Sequence, residues 1–345
     1  MANIVICADG TWNRPEEDLA DDHPTNVLKV ARAINPQVSG TNQHVFYDWG
    51  VGSYYSALAG GVTGKGIHKN IVDAYRYIVQ NYHANDKIYL FGFSRGAYTV
   101  RALCGLIYNC GIVKRADARL IEQAWRIYKS PSDTNHPDGD EAKSFRNDYS
   151  HKSRKVHFVG AWDTVGKLGI PFSLMGLLDS NDEFYDTKMG PNVAFARHAM
   201  AIDEQRKDFE PTLWLPRTGV NLEQVWFAGV HSDIGGSYAP DIPGGPCASD
   251  VSLNWMLVEA KAAGLKFETH IGDGLSDGSL SRLHKSRNHV YRSKKPLHRP
   301  LIDLKRPSVI HPSVKLRYLA DESYRPQKLK PLVDSLGWDS ISVGV

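Results

Sequence analysis

No stretch of this sequence approaches the roughly 20 consecutive apolar residues that a membrane-crossing helix requires, so no helical span is expected. Cysteine is scarce: Cys7, Cys104, Cys110 and Cys247 are the four in 345 residues, and none pairs in a C-x-x-C motif. That argues against a disulfide framework or a thiolate zinc site. Three of the four lie in apolar surroundings, as buried thiols of a reducing compartment do. Net charge is also small, +3 at neutral pH, too little to imply a nucleic-acid partner, and none is expected. Internal repeats and low-complexity tracts are missing, which removes solenoids and disordered linkers. The N-terminus lacks a basic leader region. Asn3-Ile4-Val5-Ile6-Cys7-Ala8 runs straight into Asp9-Gly10-Thr11 and reads as a strand, not a secretory signal. The expectation is a cytoplasmic chain, exported only if a specialised secretion machine takes it.

What is present is the composition of a soluble globular protein, 42% hydrophobic and 23% charged. Short apolar runs alternate with helical periodicity. This predicts an α/β fold of α/β-hydrolase type, a mostly parallel sheet with helices on both faces and helical inserts. Strands are predicted over 4–8, 44–49, 87–93, 156–161 and 225–230, and helices over 67–82, 97–108 and 249–263. The run KIYLFGF at 87–93 is apolar throughout, as suits a strand covered on both faces. One domain is expected over 1–345, with inserts near 112–155 and 167–222 and a basic segment at 266–345 whose elements the pattern does not place.

Gly92-Phe93-Ser94-Arg95-Gly96 matches G-x-S-x-G. Alone that match is weak, but it joins a buried strand to a buried helix, the setting a nucleophile elbow requires. Glycines flank Ser94 because side chains there would collide at so sharp a turn. The turn lifts the hydroxyl to a helix N-terminus, where free N–H groups favour developing negative charge. The plainer alternative is a βα turn with a capping serine.

A serine hydroxyl needs a base within reach. Among 14 histidines, His231 is favoured because it follows a buried strand and opens a Gly-rich turn, His231-Ser232-Asp233-Ile234-Gly235-Gly236. In an open parallel sheet the C-terminal strand ends form the ligand-binding rim, so His231 joins Ser94 there. Asp163 ends another strand on that rim and is the favoured acid, orienting the imidazole and stabilising its charged form. Asp233 is the rival acid, although two residues past His231 it suits a role in shaping the turn. The order Ser94, Asp163, His231 is that of α/β-hydrolases. For the oxyanion hole, the Arg95 N–H follows the nucleophile, and Gly10 and Thr11 after the first strand offer a second donor. Asp9 is a further candidate on the same rim.

Four motifs read together carry a resemblance: Asp9-Gly10-Thr11-Trp12-Asn13, Gly92-Phe93-Ser94-Arg95-Gly96-Ala97, Trp162-Asp163-Thr164-Val165-Gly166 and Gly229-Val230-His231-Ser232-Asp233-Ile234-Gly235-Gly236. They resemble the α/β-hydrolase family that includes the Tle1-type lipase effectors of bacterial type VI secretion. Ala201-Ile202-Asp203-Glu204-Gln205-Arg206 is similar to another segment of that family. The resemblance covers roughly 3–265. It implies a Ser–Asp–His triad at Ser94, Asp163 and His231, and phospholipase activity in members with an assigned role.

Several features bear on the substrate. The apolar run 170–178 after Asp163 reads either as a lid over an acyl groove or as core packing. The Gly-rich loop 50–66, with Tyr54 and Tyr55, is placed to line the same mouth. Residues 282–306 carry Arg282, Lys285, Arg287, Arg292, Lys294, Lys295, Arg299, Lys305 and Arg306 against Asp303 alone. A solvated surface, anionic lipid and RNA all suit such a stretch, the first best. The expected function is a serine ester hydrolase, of phospholipase or lipase type, with an ester or phospholipid as partner, peripheral membrane contact and no cofactor. Two alternatives stay open: a metal-dependent phosphoesterase using Asp9, Asp163, His231 and Asp233, and an esterase for a small non-lipid ester.

Overall fold

In the computed structural model, which describes residues 1–10, 13, 15–16, 22–38, 40–50, 64–165, 189–273, 277–287, 289–303 and 305–341, eight strands form one sheet. They are β1 (Ala2–Ala8), β2 (Gln37–Val38), β3 (Thr41–Asp48), β4 (Lys87–Phe93), β5 (Val156–Trp162), β6 (Val193–Ala201), β7 (Asn221–Phe227) and β8 (Val309–Ile310). Their order is β2-β3-β1-β4-β5-β6-β7-β8, and every neighbouring pair is parallel except β2 with β3. Among the described residues the α-helices are α1 (Asn26–Ala33), α2 (Gly64–Asn81), α3 (Arg95–Cys110), α4 (Ala118–Lys129), α5 (Asp140–Tyr149), α6 (His231–Gly235), α7 (Ser249–Ala262), α8 (His270–Asp273), α9 (Pro312–Ala320) and α10 (Leu329–Leu336).

The pleat of the central strands decides the layering. Successive side chains point to opposite faces, so Ile4, Ile6, Ile88 and Leu90 join the core under α2 to α5, while Val5, Cys7, Tyr89 and Phe91 join the core under α1 and α7. Both faces are dry, which is why these strands read as unbroken apolar runs. A third cluster unites Met200, Ile202 and Trp226 of the sheet's far side with Leu301, Ile310, Val314, Tyr318 and Leu329 of the C-terminal segment. The fold is that of an α/β-hydrolase-like protein.

The structure departs from the sequence expectations in three places. β6 occupies the middle of the sheet in a region read as an insert, because Arg197 and His198 interrupt its apolar pattern. Arg197 is paired with Glu259 at 2.6 Å, and His198 Nε2 accepts from Thr164 N–H at 3.1 Å. The strand before His231 ends at Phe227 instead of running to 230, and His231 begins the short helix α6. After residue 266, where no element was assigned, the chain adds α8, β8, α9 and α10.

Candidate active site

Register brings the sequence motifs to one edge. Ala8 pairs with Gly92, Phe93 with Trp162, Trp162 with Ala199, and Ala201 with Phe227. The next residues after β1, β4 and β5, namely Asp9, Ser94 and Asp163, therefore emerge side by side on the C-terminal rim. The ladder continues one step further, with Ser94 N–H donating to Trp162 O at 3.0 Å and Asp163 N–H to Ala199 O at 2.7 Å. Both residues then leave the strands with positive φ, 58° at Ser94 and 40° at Asp163.

Ser94 sits between β4 and α3, with φ 58° and ψ −121°, a conformation L-residues rarely hold. The glycines explain how the turn closes. A methyl on Gly96 would overlap the Ala8 carbonyl, and one on Gly92 would overlap the Gly96 carbonyl. The first turn of α3 is thus pressed against the end of β1. A Cβ on Gly10 would lie 3.2 Å from Ser94 Cβ, so the loop after β1 lines the serine. Gly10 N–H donates to Asp9 Oδ1 at 2.7 Å. Thr11 lies outside the described residues, as do the run 170–178 and Tyr54 and Tyr55.

His231 and Asp163 are both buried and joined by a hydrogen bond of 2.6 Å between Nδ1 and Oδ2. The His231 ring packs between Phe93, 4.6 Å away by ring centroids, and Phe209, edge-on at 4.9 Å. Phe93 is the residue before Ser94, so this contact packs the imidazole against the end of β4. Glu204 Oε2 accepts the His231 backbone N–H at 3.3 Å, and Arg206 grips Glu204 with two bonds of 2.9 Å.

Asp163 is saturated with donors. Besides His231 it accepts Ala201 N–H at 3.0 Å and two bonds from Arg299, Nη1 to Oδ1 at 2.6 Å and Nη2 to Oδ2 at 3.1 Å. Burial alone would push its carboxyl up, but the charges and hydrogen bonds of Arg299 and His231 overcome that and hold it well below the usual carboxylate range. Behind the acid, burial and the Arg101 charge lower His198 to about 3, so its imidazole is neutral and serves as the acceptor for Thr164.

Asp9 and Asp233 have other partners. Asp9 accepts the hydroxyls of Thr25 at 2.6 Å and Tyr47 at 2.7 Å, and burial raises its carboxyl to about 6 against the pull of those bonds. Asp233 accepts Val230 N–H at 3.0 Å and pairs with His284 Nδ1 at 2.7 Å. Among the described residues no three His, Cys, Asp or Glu side chains gather to hold a metal ion. The donor set of the phosphoesterase alternative is thus dispersed, with Asp163 committed to a guanidinium.

Arg299 was read from the sequence as one more charge of a basic surface stretch. It is instead buried, with its side chain inside the protein beside Asp163. A buried arginine within a basic run has no local signature; only its partner identifies it. Glu204 and Arg206 had a signal, the Asp203-Glu204-Gln205-Arg206 segment noted above. Arg282, Lys285, Arg292, Lys294, Lys295 and Lys305 are exposed, as a surface reading requires. No helix of the described residues is long and apolar enough to cross a membrane.

The model of the type VI secretion phospholipase effector, Tle1-like, catalytic domain matches residues 2–259. An uncharacterised Saccharomyces cerevisiae protein, YEL023C, is 26% identical over 237 residues, covering 62% of this chain and 33% of the yeast protein. The crystal structure of an uncharacterised protein from Pseudomonas aeruginosa aligns over 77% of this chain and 46% of that one, at 17% identity and a TM-score of 0.49. The chain thus spans about a third of the yeast relative and less than half of the bacterial one. With a match over most of its length, this chain belongs to the Tle1-like catalytic-domain family of phospholipase effectors.

Proposed function

We propose that this protein is a serine carboxylic-ester hydrolase of phospholipase type, acting through Ser94, Asp163 and His231. The observation that carries the reading is the 2.6 Å bond from His231 Nδ1 to a buried, ionised Asp163 on the rim that also holds the Ser94 elbow. An ionised carboxylate only accepts, so Nδ1 carries the hydrogen and Nε2 presents its lone pair. His231 Nε2 takes the Ser94 proton as Oγ attacks the ester carbonyl, and a tetrahedral oxyanion forms. Collapse expels the alcohol with that proton and leaves an acyl-enzyme. Water, activated by the same imidazole, then releases the carboxylic acid and restores Ser94. The oxyanion is assigned to the Arg95 N–H at the start of α3; the Gly10 N–H, the other described donor expected there, is engaged by Asp9 Oδ1. No cofactor enters this cycle.

Family membership supports phospholipid as the substrate class. Contact with an anionic membrane surface is assigned to the exposed basic residues between 282 and 305, and export by a secretion machine follows the family's effectors. A fluorophosphonate probe tests the nucleophile. Peptide mapping is expected to find the label on Ser94 of wild type, with labelling lost in Ser94→Ala and slowed in His231→Ala. Label on another residue, or none on folded wild type, sinks the reading.

A further inference from the structure

Past the residues matched by the family, the segment 281–299 supplies a partner to each of three buried acids around His231. His284 reaches Asp233 through Nδ1 at 2.7 Å and its own N–H at 3.0 Å, and Ser286 Oγ donates to Glu204 Oε1 at 2.8 Å. Arg299 reaches Asp163. Leu297 N–H donates to Gln205 O at 2.9 Å, which pins the segment to the turn carrying Glu204.

The Arg299 contact differs from the other two because it places a full positive charge on the proposed acid itself. Its guanidinium spans both carboxylate oxygens, and its Nη atoms also donate to the carbonyls of Ala201, at 2.7 Å, and Phe209. Phe209 packs on the His231 ring, so one side chain ties the acid, the end of β6 and a wall of the imidazole together. A planar fork fixes both the position and the plane of a carboxylate. We infer that Arg299 is a positioning residue: it holds Asp163 in line with His231 Nδ1 and offsets part of the acid's charge. This rests on the triad reading of Ser94, Asp163 and His231.

The electrostatic part follows from elementary charge interaction. A bare carboxylate would draw a proton onto the adjacent imidazole, and a nearby guanidinium opposes that. The other ionisable groups facing the pair are Glu204 with Arg206 on the turn after β6, His198 within β6, Arg101 of α3 behind it, and Asp233 with His284. Among the described residues none of these is hydrogen-bonded to the Asp163 carboxylate.

The test measures kcat and KM on a soluble 4-nitrophenyl ester across pH for wild type, Arg299→Met and Arg299→Lys, with Ser94→Ala as control and circular dichroism to establish folding. Arg299→Met is expected to lower kcat about 10- to 100-fold with KM little changed, as a misplaced base does. It is also expected to move the acid limb of kcat/KM to higher pH. Arg299→Lys keeps the charge without the fork, so its acid limb stays near that of wild type while kcat is intermediate. An acid limb unmoved in folded Arg299→Met overturns the assignment. If Arg299→Met does not fold, a wild-type kcat in Arg299→Lys overturns it. Activity surviving in Ser94→Ala would instead overturn the triad reading, whereas a silent Ser94→Ala beside an unmoved limb removes Arg299 alone.

Discussion

Replacing Ser94 with alanine is expected to lower kcat on carboxylic esters about a million-fold, leaving only the contribution of the oxyanion donors and of binding. The fold has no stake in the hydroxyl. In the structure Ser94 caps no helix N–H with its side chain, and its turn is closed by backbone bonds and by Gly92 and Gly96. Ser94→Ala should therefore keep its far-ultraviolet spectrum and its melting temperature to within a few degrees. Glycine at this position makes a sharper test of the elbow. The backbone at φ 58° and ψ −121° is strained for any residue with a Cβ. Ser94→Gly should be as inactive as Ser94→Ala yet more stable than it by about 1 kcal/mol. A large loss of stability in both variants, with esterase activity lost only in proportion to unfolding, would contradict the assignment.

The second large effect falls on Asp163. In Asp163→Asn the amide cannot accept the His231 Nδ1 hydrogen with the same strength, and the wrong tautomer becomes available, at an expected loss of about a thousandfold or more in kcat. Stability also suffers. The Arg299 side chain is fully buried beside Asp163, so removing the carboxylate leaves a cation in the interior without its hydrogen-bonded counter-charge, at about 3–5 kcal/mol. The pH dependence of that loss has a definite sign. Asp163 is held below the ordinary carboxylate range, so its contribution to folding is complete above the unfolded pKa of about 3.9 and is lost as pH falls further. Urea unfolding should show a wide gap between wild type and Asp163→Asn at neutral pH, narrowing below about pH 4. A gap independent of pH would mean that the carboxylate is not stabilised by charge in the folded state.

The parts of the fold legible in the sequence are those where local pattern and environment agree. β1, β4 and β5 are apolar on both faces because both faces are covered, and their motifs follow directly at their ends. β6 is illegible in the sequence because Arg197 and His198 break its apolar pattern, and the partners that make them acceptable in the interior, Glu259 and Thr164, are distant in sequence. The end of β7 is hidden by the same logic in reverse: the apolar run to Val230 outlasts the hydrogen-bonded ladder, which stops at Phe227. Ser94, Asp163 and His231 stand out in the sequence as candidates because Ser94 and Asp163 directly follow strands and His231 opens the short helix after β7. Arg299 does not, since its neighbours in sequence are surface charges and its meaning comes only from Asp163, a contact that spans 136 positions in the chain.

The central claim, a Ser94-dependent phospholipase, is tested most directly with vesicles of phosphatidylglycerol and phosphatidylethanolamine, quantifying free fatty acid and lysolipid from wild type and Ser94→Ala. The account predicts release of both products by wild type and none above background by Ser94→Ala. Release that persists in Ser94→Ala, or its absence with wild type, would contradict it.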